Sequence, residues 1–228
     1  LIVREGPFKD CGMMFRSNGI KVQNSIDPFY IEDNGHKYLF WGSFRGIYAI
    51  ELSEDGLSLK SGSSPVQIAG TAYEGTYIHK RGGYYYMFAS IGSCCEGLKS
   101  TYTTVVGRST SLFGPYLDKK GQSMMDNHHE ILIHKNDSFV GTGHNSEIVS
   151  DNAGTDWLFY HAVSVANPDG RVLMLDKIDW IDGWPSVKVT HLLSSQKNHV
   201  FKKGDNYDYS QVVIINSFCF FNCRLRIF

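Results

Sequence analysis

The sequence has no long apolar run. Its longest apolar stretches fall far short of the ~20 residues that a membrane-crossing helix needs, so a helical membrane protein is not expected. A basic tract is missing too. Lys and Arg number 22 against 23 Asp and Glu, a formal charge of −1, which argues against nucleic acid as a partner. Cysteines are few and odd in number. Cys94 and Cys95 are adjacent, Cys219 and Cys223 lie near the end, and Cys11 is alone. No spacing suits a zinc site, and the five read as small buried thiols rather than a disulfide framework. Sustained helical periodicity is absent. So are an initial Met and a secretory leader. Leu1-Ile2-Val3-Arg4 reads as the inside of a protein, and any export signal is expected upstream.

What the sequence does have is short aromatic and β-branched runs punctuated by Gly, Asn and Asp. Three segments align by their glycines: Gly35 to Ser43, Gly82 to Ser90, and Gly154 to Ala162. Each is a turn glycine followed by an aromatic-rich strand. Eight residues before each glycine stand Asp27, Glu74 and Ser146, and each begins a β-prone run. A further strand follows in each unit, at 47–52, 103–108 and 172–177. The spacings of 47 and 72 residues fit one propeller blade and one blade with an insertion. The chain is therefore expected to be all-β, a single domain over 1–228, built as a propeller with blades of about four strands. A sandwich or jelly roll is the alternative. Equivalent positions in a radial repeat converge on one axis, so Asp27 and Glu74 are expected to meet there.

Two carboxyls on a rigid scaffold are what glycoside hydrolysis needs. Glu74 stands in Tyr73-Glu74-Gly75-Thr76, where glycine lets a ligand approach. A carboxyl among aromatic side chains holds its proton to higher pH, as a general acid must. The other reading is a strand-end surface Glu. Asp27 stands before Pro28, and an Asp-Pro pair also simply starts turns and strands. His144, in Gly143-His144-Asn145, is expected near the same axis; its plain alternative is a core histidine. His128-His129 reads as solvated surface. Some aromatics at the rim could stack on sugar rings, while most must pack between blades.

These motifs together resemble the arabinanases of glycoside hydrolase family 43. The resemblance runs from about Asp10 to Val187. It rests on Asn24-Ser25-Ile26-Asp27-Pro28, Gly42-Ser43-Phe44, Glu74-Gly75, Gly82-Gly83-Tyr84-Tyr85-Tyr86, Gly92-Ser93-Cys94-Cys95, Ser100-Thr101-Tyr102, Val106-Gly107-Arg108-Ser109, Gly114-Pro115-Tyr116, Gly143-His144-Asn145 and Asp182-Gly183-Trp184-Pro185. It implies a five-bladed propeller that cleaves α-1,5-L-arabinofuranosidic bonds of plant arabinan with inversion. Glu74 corresponds to the general acid and Asp27 to the residue that tunes its pKa. Asn24, Ser25, Ile26, Ser43, Phe44, Ser90 and Cys94 would line the arabinose subsite. His144 would face an ion in the central channel, often calcium, and no organic cofactor is implied. A secreted protein is expected from that substrate. The other readings are an arabinofuranosidase or xylosidase of the same family, or a non-catalytic sugar-binding propeller.

The resemblance also implies a general base on a first blade, well upstream of Asp27. Glu5 and Asp10 precede Asp27 here, and neither fits the base motif. The first blade is therefore expected to be missing, with little turnover by the 228 residues alone. Unpaired blade edges would then favour self-association. The stretch 217–224 resembles no family terminus.

Overall fold

The computed structural model describes residues 9–189, 219–220 and 223–227. Strand β1 (Lys9–Phe15) and a four-residue helix α1 (Ser17–Ile20) come first. Three antiparallel units follow. The first is β2 (Phe29–Asp33), β3 (His36–Trp41), β4 (Ile47–Glu51) and β5 (Val66–Ala69). The second is β6 (Glu74–Arg81), β7 (Tyr84–Ile91), β8 (Thr103–Ser109) and β9 (Glu130–Ile133). In the third, β10 (Phe139–Gly143) and β11 (Ile148–Ser150) both lie along β12 (Asp156–Ser164), followed by β13 (Arg171–Ile181) and β14 (Trp184–Val187). The ladders of the second and third units join at a parallel pair, Thr142 with Thr103. Near the end, β15 (Cys219–Phe220) and β16 (Cys223–Ile227) form a separate sheet in which β16 runs parallel to β1.

The turns explain why these residues form hairpins. Asn34-Gly35, Gly82-Gly83 and Asp182-Gly183 all carry positive φ at both positions, from 50° to 80°. That is the backbone a two-residue hairpin of the right twist requires, and Asn, Asp and Gly adopt it at least cost. Along the strands, alternate side chains then face alternate neighbours. In β3, Phe40 packs with Ile78, Tyr85 and Met87 of the second unit, while Leu39 and Trp41 pack with Phe15 and Val22. In β7, Met87 faces the first unit, and Tyr86 and Phe88 join Leu158, Tyr160 and Met174 of the third. The second unit thus buries both faces against its neighbours, as a propeller blade does and as a sheet of a two-layer sandwich does not. Phe40, Trp41 and Phe88 have no exposed surface. Truncating such a ring to Ala costs about 3–5 kcal/mol.

The ladders correct the repeat alignment by one residue. Asp33 pairs with His36 across Asn34-Gly35, and Arg81 pairs with Tyr84 across Gly82-Gly83. Superposing the two turns places Gly35 on Gly83, not on Gly82. Asp27 then corresponds to Gly75, and Glu74 to Ile26. A double glycine offers two ways to align, and strand pairing selects the second. The third unit departs further, because its hairpin is closed by Ser150 and Asp156 around a longer loop. Ser146 there donates its hydroxyl to the adjacent Glu147 carbonyl.

The cysteines also differ from expectation. Cys94 and Cys95 form a disulfide with each other, and Cys11 is disulfide-bonded as well.

Candidate active site

The first strand of each blade is bulged at one point. In blade one, the ladder pairs Phe29 with Phe40, and the Gly42 N–H then donates to the Ile26 carbonyl at 2.9 Å. Asp27 and Pro28 therefore stand opposite Trp41 alone. In blade two, Glu74 pairs with Ser90 and Tyr77 with Phe88, so Gly75 and Thr76 stand opposite Ala89. In blade three, Gly143 pairs with His161 and Ile148 with Leu158, so His144 to Glu147 stand opposite Phe159 and Tyr160. Each bulge contains one residue in the left-handed region: Asp27 (φ 53°), Gly75 (φ 61°) and His144 (φ 50°). A bulge turns a side chain out of the ladder's alternation. Here three bulges on neighbouring strands turn their residues toward one another.

The carboxyl of Glu74 sits at the centre. Its Oε2 accepts from the Ser43 hydroxyl at 2.8 Å, and its Oε1 accepts from the Tyr102 hydroxyl at 2.5 Å. The Asp27 carboxylate accepts from the Gly75 N–H. Burial raises the Asp27 pKa above its ordinary value. The positive character of His144 pulls it down, the Glu74 charge pushes it up, and the Gly75 N–H lowers it. Asp27, Glu74 and His144 therefore feel one another directly. The His144 ring lies against Gly75 so closely that a Cβ there would stand 3.2 Å from Nδ1. The His144 N–H donates to Ser90 Oγ at 2.8 Å.

The loops around this centre are strained in the same sense. Asn24 (φ 54°) and Phe44 (φ 49°) are also left-handed. Asn24 Nδ2 donates to the Ser43 carbonyl at 2.8 Å, and the Phe44 N–H donates to the Tyr73 carbonyl at 2.9 Å. These bonds tie the Asp27 loop to the Ser43 loop, and that loop to the strand of Glu74. Non-glycine residues with positive φ cost about 1 kcal/mol or more each and gather where structure serves function. Four of the eight among the described residues, Asn24, Asp27, Phe44 and His144, surround one carboxyl.

The expected subsite residues divide. Asn24, Ser43, Phe44 and Ser90 are joined to the centre by the contacts above. Ile26 is 41 % exposed and anchors its loop through its carbonyl. Ser25 is a correction. It is fully buried, donates to the Val22 carbonyl at 2.8 Å and accepts from Trp41 Nε1 at 3.1 Å. Its side chain holds the loop from beneath and has no face toward a ligand. Cys94 is spent in its disulfide, and its carbonyl accepts from Ser100 Oγ. His129 is also corrected. It is half-buried, with its Nδ1 3.1 Å from the Tyr73 hydroxyl.

Two residues of the centre carried no role in the sequence reading. Tyr102 touches Glu74 and lies 3.4 Å from His144 Nδ1. His161 stacks on the Tyr102 ring at 5.4 Å and 11°. Burial, then Arg171 and His144, push the His161 pKa down to about 4, so it stacks as a neutral ring. Tyr102 stands in the Ser100-Thr101-Tyr102 motif, which was its only signal. His161 had none. For a metal, the described residues bring no three His, Cys, Asp or Glu side chains together as a ligand set.

Comparison with known proteins gives the family. Residues 3–185 match the pattern of glycosyl hydrolases family 43. The chain is 37 % identical over 192 residues to the extracellular endo-α-(1→5)-L-arabinanase 1 of Bacillus subtilis, covering 81 % of this chain and 57 % of that protein. It is 37 % identical over 184 residues to the extracellular exo-α-(1→5)-L-arabinofuranosidase ArbA of Cellvibrio japonicus, covering 72 % and 52 %. The solved Cellvibrio cellulosa α-L-arabinanase, complexed with arabinohexaose, superposes with a TM-score of 0.67 at 34 % identity, over 72 % of this chain and 56 % of that one. These arabinanases are five-bladed propellers, and the described residues build three such blades. The chain spans little more than half the length of the relatives it matches. With the family pattern covering most of the sequence, this chain belongs to glycosyl hydrolases family 43.

Proposed function

We propose that this sequence carries the acid side of a site that hydrolyses α-1,5-L-arabinofuranosidic bonds of arabinan with inversion. Glu74 protonates the leaving oxygen. Asp27 tunes that acid and holds the sugar, with Asn24, Ile26, Ser43, Phe44 and Ser90 around the arabinose ring. The observation that carries the reading is the meeting of Glu74 and Asp27 across Gly75, with Ser43 and Tyr102 on the acid's two oxygens. Inversion needs a second carboxylate ~6.5–9.5 Å from the acid with room for water between. Asp27 is bonded to the backbone beside the acid, which suits tuning and not water activation, so the base is a different carboxylate. A channel ion beside His144 would be held mostly by water, and no step runs through it. The Bacillus and Cellvibrio relatives are extracellular enzymes, and secretion is part of the proposal. Exo action on the same linkage is the second reading, favoured by the equal identity to the Cellvibrio exo-enzyme.

The test is reducing-sugar release from linear arabinan. A form extended upstream to include the base is expected to turn over, and the 228 residues alone to be nearly inactive. Glu74→Gln should cost the extended form about 10²–10⁴-fold. Binding of arabino-oligosaccharides without release by any form would leave a sugar-binding propeller instead. Full activity of the 228 residues would mean that the base lies within them.

A further inference from the structure

A general acid must hold its proton on one oxygen and aim it at the leaving group. A free carboxyl rotates about its last bond, so something must hold it. Ser43 holds Oε2 from a loop. Tyr102, the residue just before β8, holds Oε1, and Tyr102 is itself fixed at three places. Its N–H donates to the Ser93 carbonyl at 3.0 Å, which also accepts from the Thr101 N–H at 3.1 Å. Its ring lies against Gly143, where a Cβ would come within 2.2 Å of Cδ1. The third place is the parallel His161 ring.

We propose that Tyr102 is the positioning residue of the acid, locking the Glu74 carboxyl in one orientation, with Gly143 and His161 as the walls that lock Tyr102. This rests on reading Glu74 as the general acid. A hydroxyl can donate or accept, so the contact survives both protonation states of its partner. Tyr102 itself stays a neutral phenol, because burial and the Glu74 charge push its pKa up. His161 has both ring nitrogens buried without a protein hydrogen bond. That is a cost of about 1–3 kcal/mol unless water meets it. An apolar ring would avoid it while keeping the stack, so the residue's shape is separable from its nitrogens.

The experiment is Tyr102→Phe, which keeps the ring and removes the hydroxyl. In the arabinan-hydrolysing form, kcat on linear arabinan should fall about 10- to 100-fold, the loss expected when a reacting group is misplaced by about 1 Å. KM should change less than about twofold. On 2,4-dinitrophenyl α-L-arabinofuranoside, whose leaving group needs little protonation, the loss should be under about threefold. Equal losses on both substrates, or a rise in KM with kcat unchanged, would overturn the proposal. His161→Phe should retain most of the kcat and His161→Ala should lose it; the reverse order would overturn the walls. A high-resolution crystal structure of Tyr102→Phe in the 228-residue chain reads the same point without turnover. The Glu74 carboxyl should rotate or split into two conformers. An unmoved carboxyl would sink the proposal even if no form of the enzyme hydrolyses arabinan, a result that would count separately against the functional reading.

Discussion

Blade one and blade two present their carboxylates in opposite ways. Asp27 is itself the left-handed residue of its bulge, at φ 53°. Glu74 is an ordinary strand residue, paired with Ser90, and the left-handed position falls to Gly75 beside it. The first arrangement puts strain and charge on one residue. The second gives the strain to a glycine and leaves the acid free to be held by hydroxyls. It also lets the Gly75 N–H reach Asp27, so the blade-two bulge supports both carboxylates at once. Equivalent bulges thus do different work, and Gly75 is the point where the two blades depend on each other.

Breaking that point should have the largest effect. Gly75→Ala places a methyl in a left-handed residue and 3.2–3.3 Å from three atoms of the His144 ring. The backbone cost alone is about 1–2 kcal/mol, and the ring must move as well. The expected outcome is a loss of roughly 2 kcal/mol or more in urea unfolding and a drop in turnover of about 100-fold. Gly35→Ala is the matched control. Its φ is +80° but nothing lies within 4 Å of the added Cβ. It should lose stability alone. Equal loss of turnover in both variants would show that strain, and not the contact with His144, is what matters.

The charge on blade one can be removed without its strain. Asn tolerates the left-handed region as Asp does, so Asp27→Asn isolates the carboxylate. Because burial raises its folded pKa above the ordinary 3.8, the folded chain binds that proton more tightly than the unfolded one. Asp27 therefore contributes stability that is fully present below the unfolded value and is lost as pH rises through the folded one. Asp27→Asn should be the more stable protein at neutral pH, with the gap closing toward pH ~3.5. Urea midpoints at the two pH values measure it. A variant less stable than wild type at neutral pH would mean that His144 and the Gly75 N–H outweigh burial.

Much of this was legible in the sequence. Paired turn residues such as Asn34-Gly35 and Asp182-Gly183 fix hairpins by backbone chemistry alone, and the aromatic strands between them showed their blade period. Asp27 and Glu74 were singled out by standing eight residues before Gly35 and Gly82, and His144 by standing two before Ser146. The alignment slipped by one because Gly82-Gly83 is degenerate, and only the Arg81–Tyr84 pairing resolves it. Tyr102 and His161 were illegible as a pair. Their contact depends on how blade two meets blade three, and no local pattern encodes a distance between strands so far apart in the chain. The Cys94–Cys95 bond was missed for a different reason: adjacent cysteines have no loop between them to suggest a cross-link.

Two serines sharpen the comparison at its smallest scale. The family resemblance put Ser25 and Ser43 in the same role, and their surroundings separate them. Ser25 is fully buried between the Val22 carbonyl and the Trp41 indole N–H. Removing its hydroxyl leaves both without that partner, away from water. Ser43 is nearly as buried, at 2 % exposure, but its hydroxyl is spent on Glu74. Ser25→Ala should therefore cost about 1 kcal/mol of stability while the kcat of the active form stays within about twofold. Ser43→Ala should leave the unfolding midpoint nearly unchanged, because the carboxyl keeps its Tyr102 bond. Its kcat should fall about 3- to 10-fold, the kinetic equivalent of one hydrogen bond of ~1 kcal/mol. Paired urea melts and arabinan kinetics on the two variants read both quantities. If Ser25→Ala lost activity and kept its stability, the Asp27 loop would be set by contacts to the ligand and not by the buried serine beneath it.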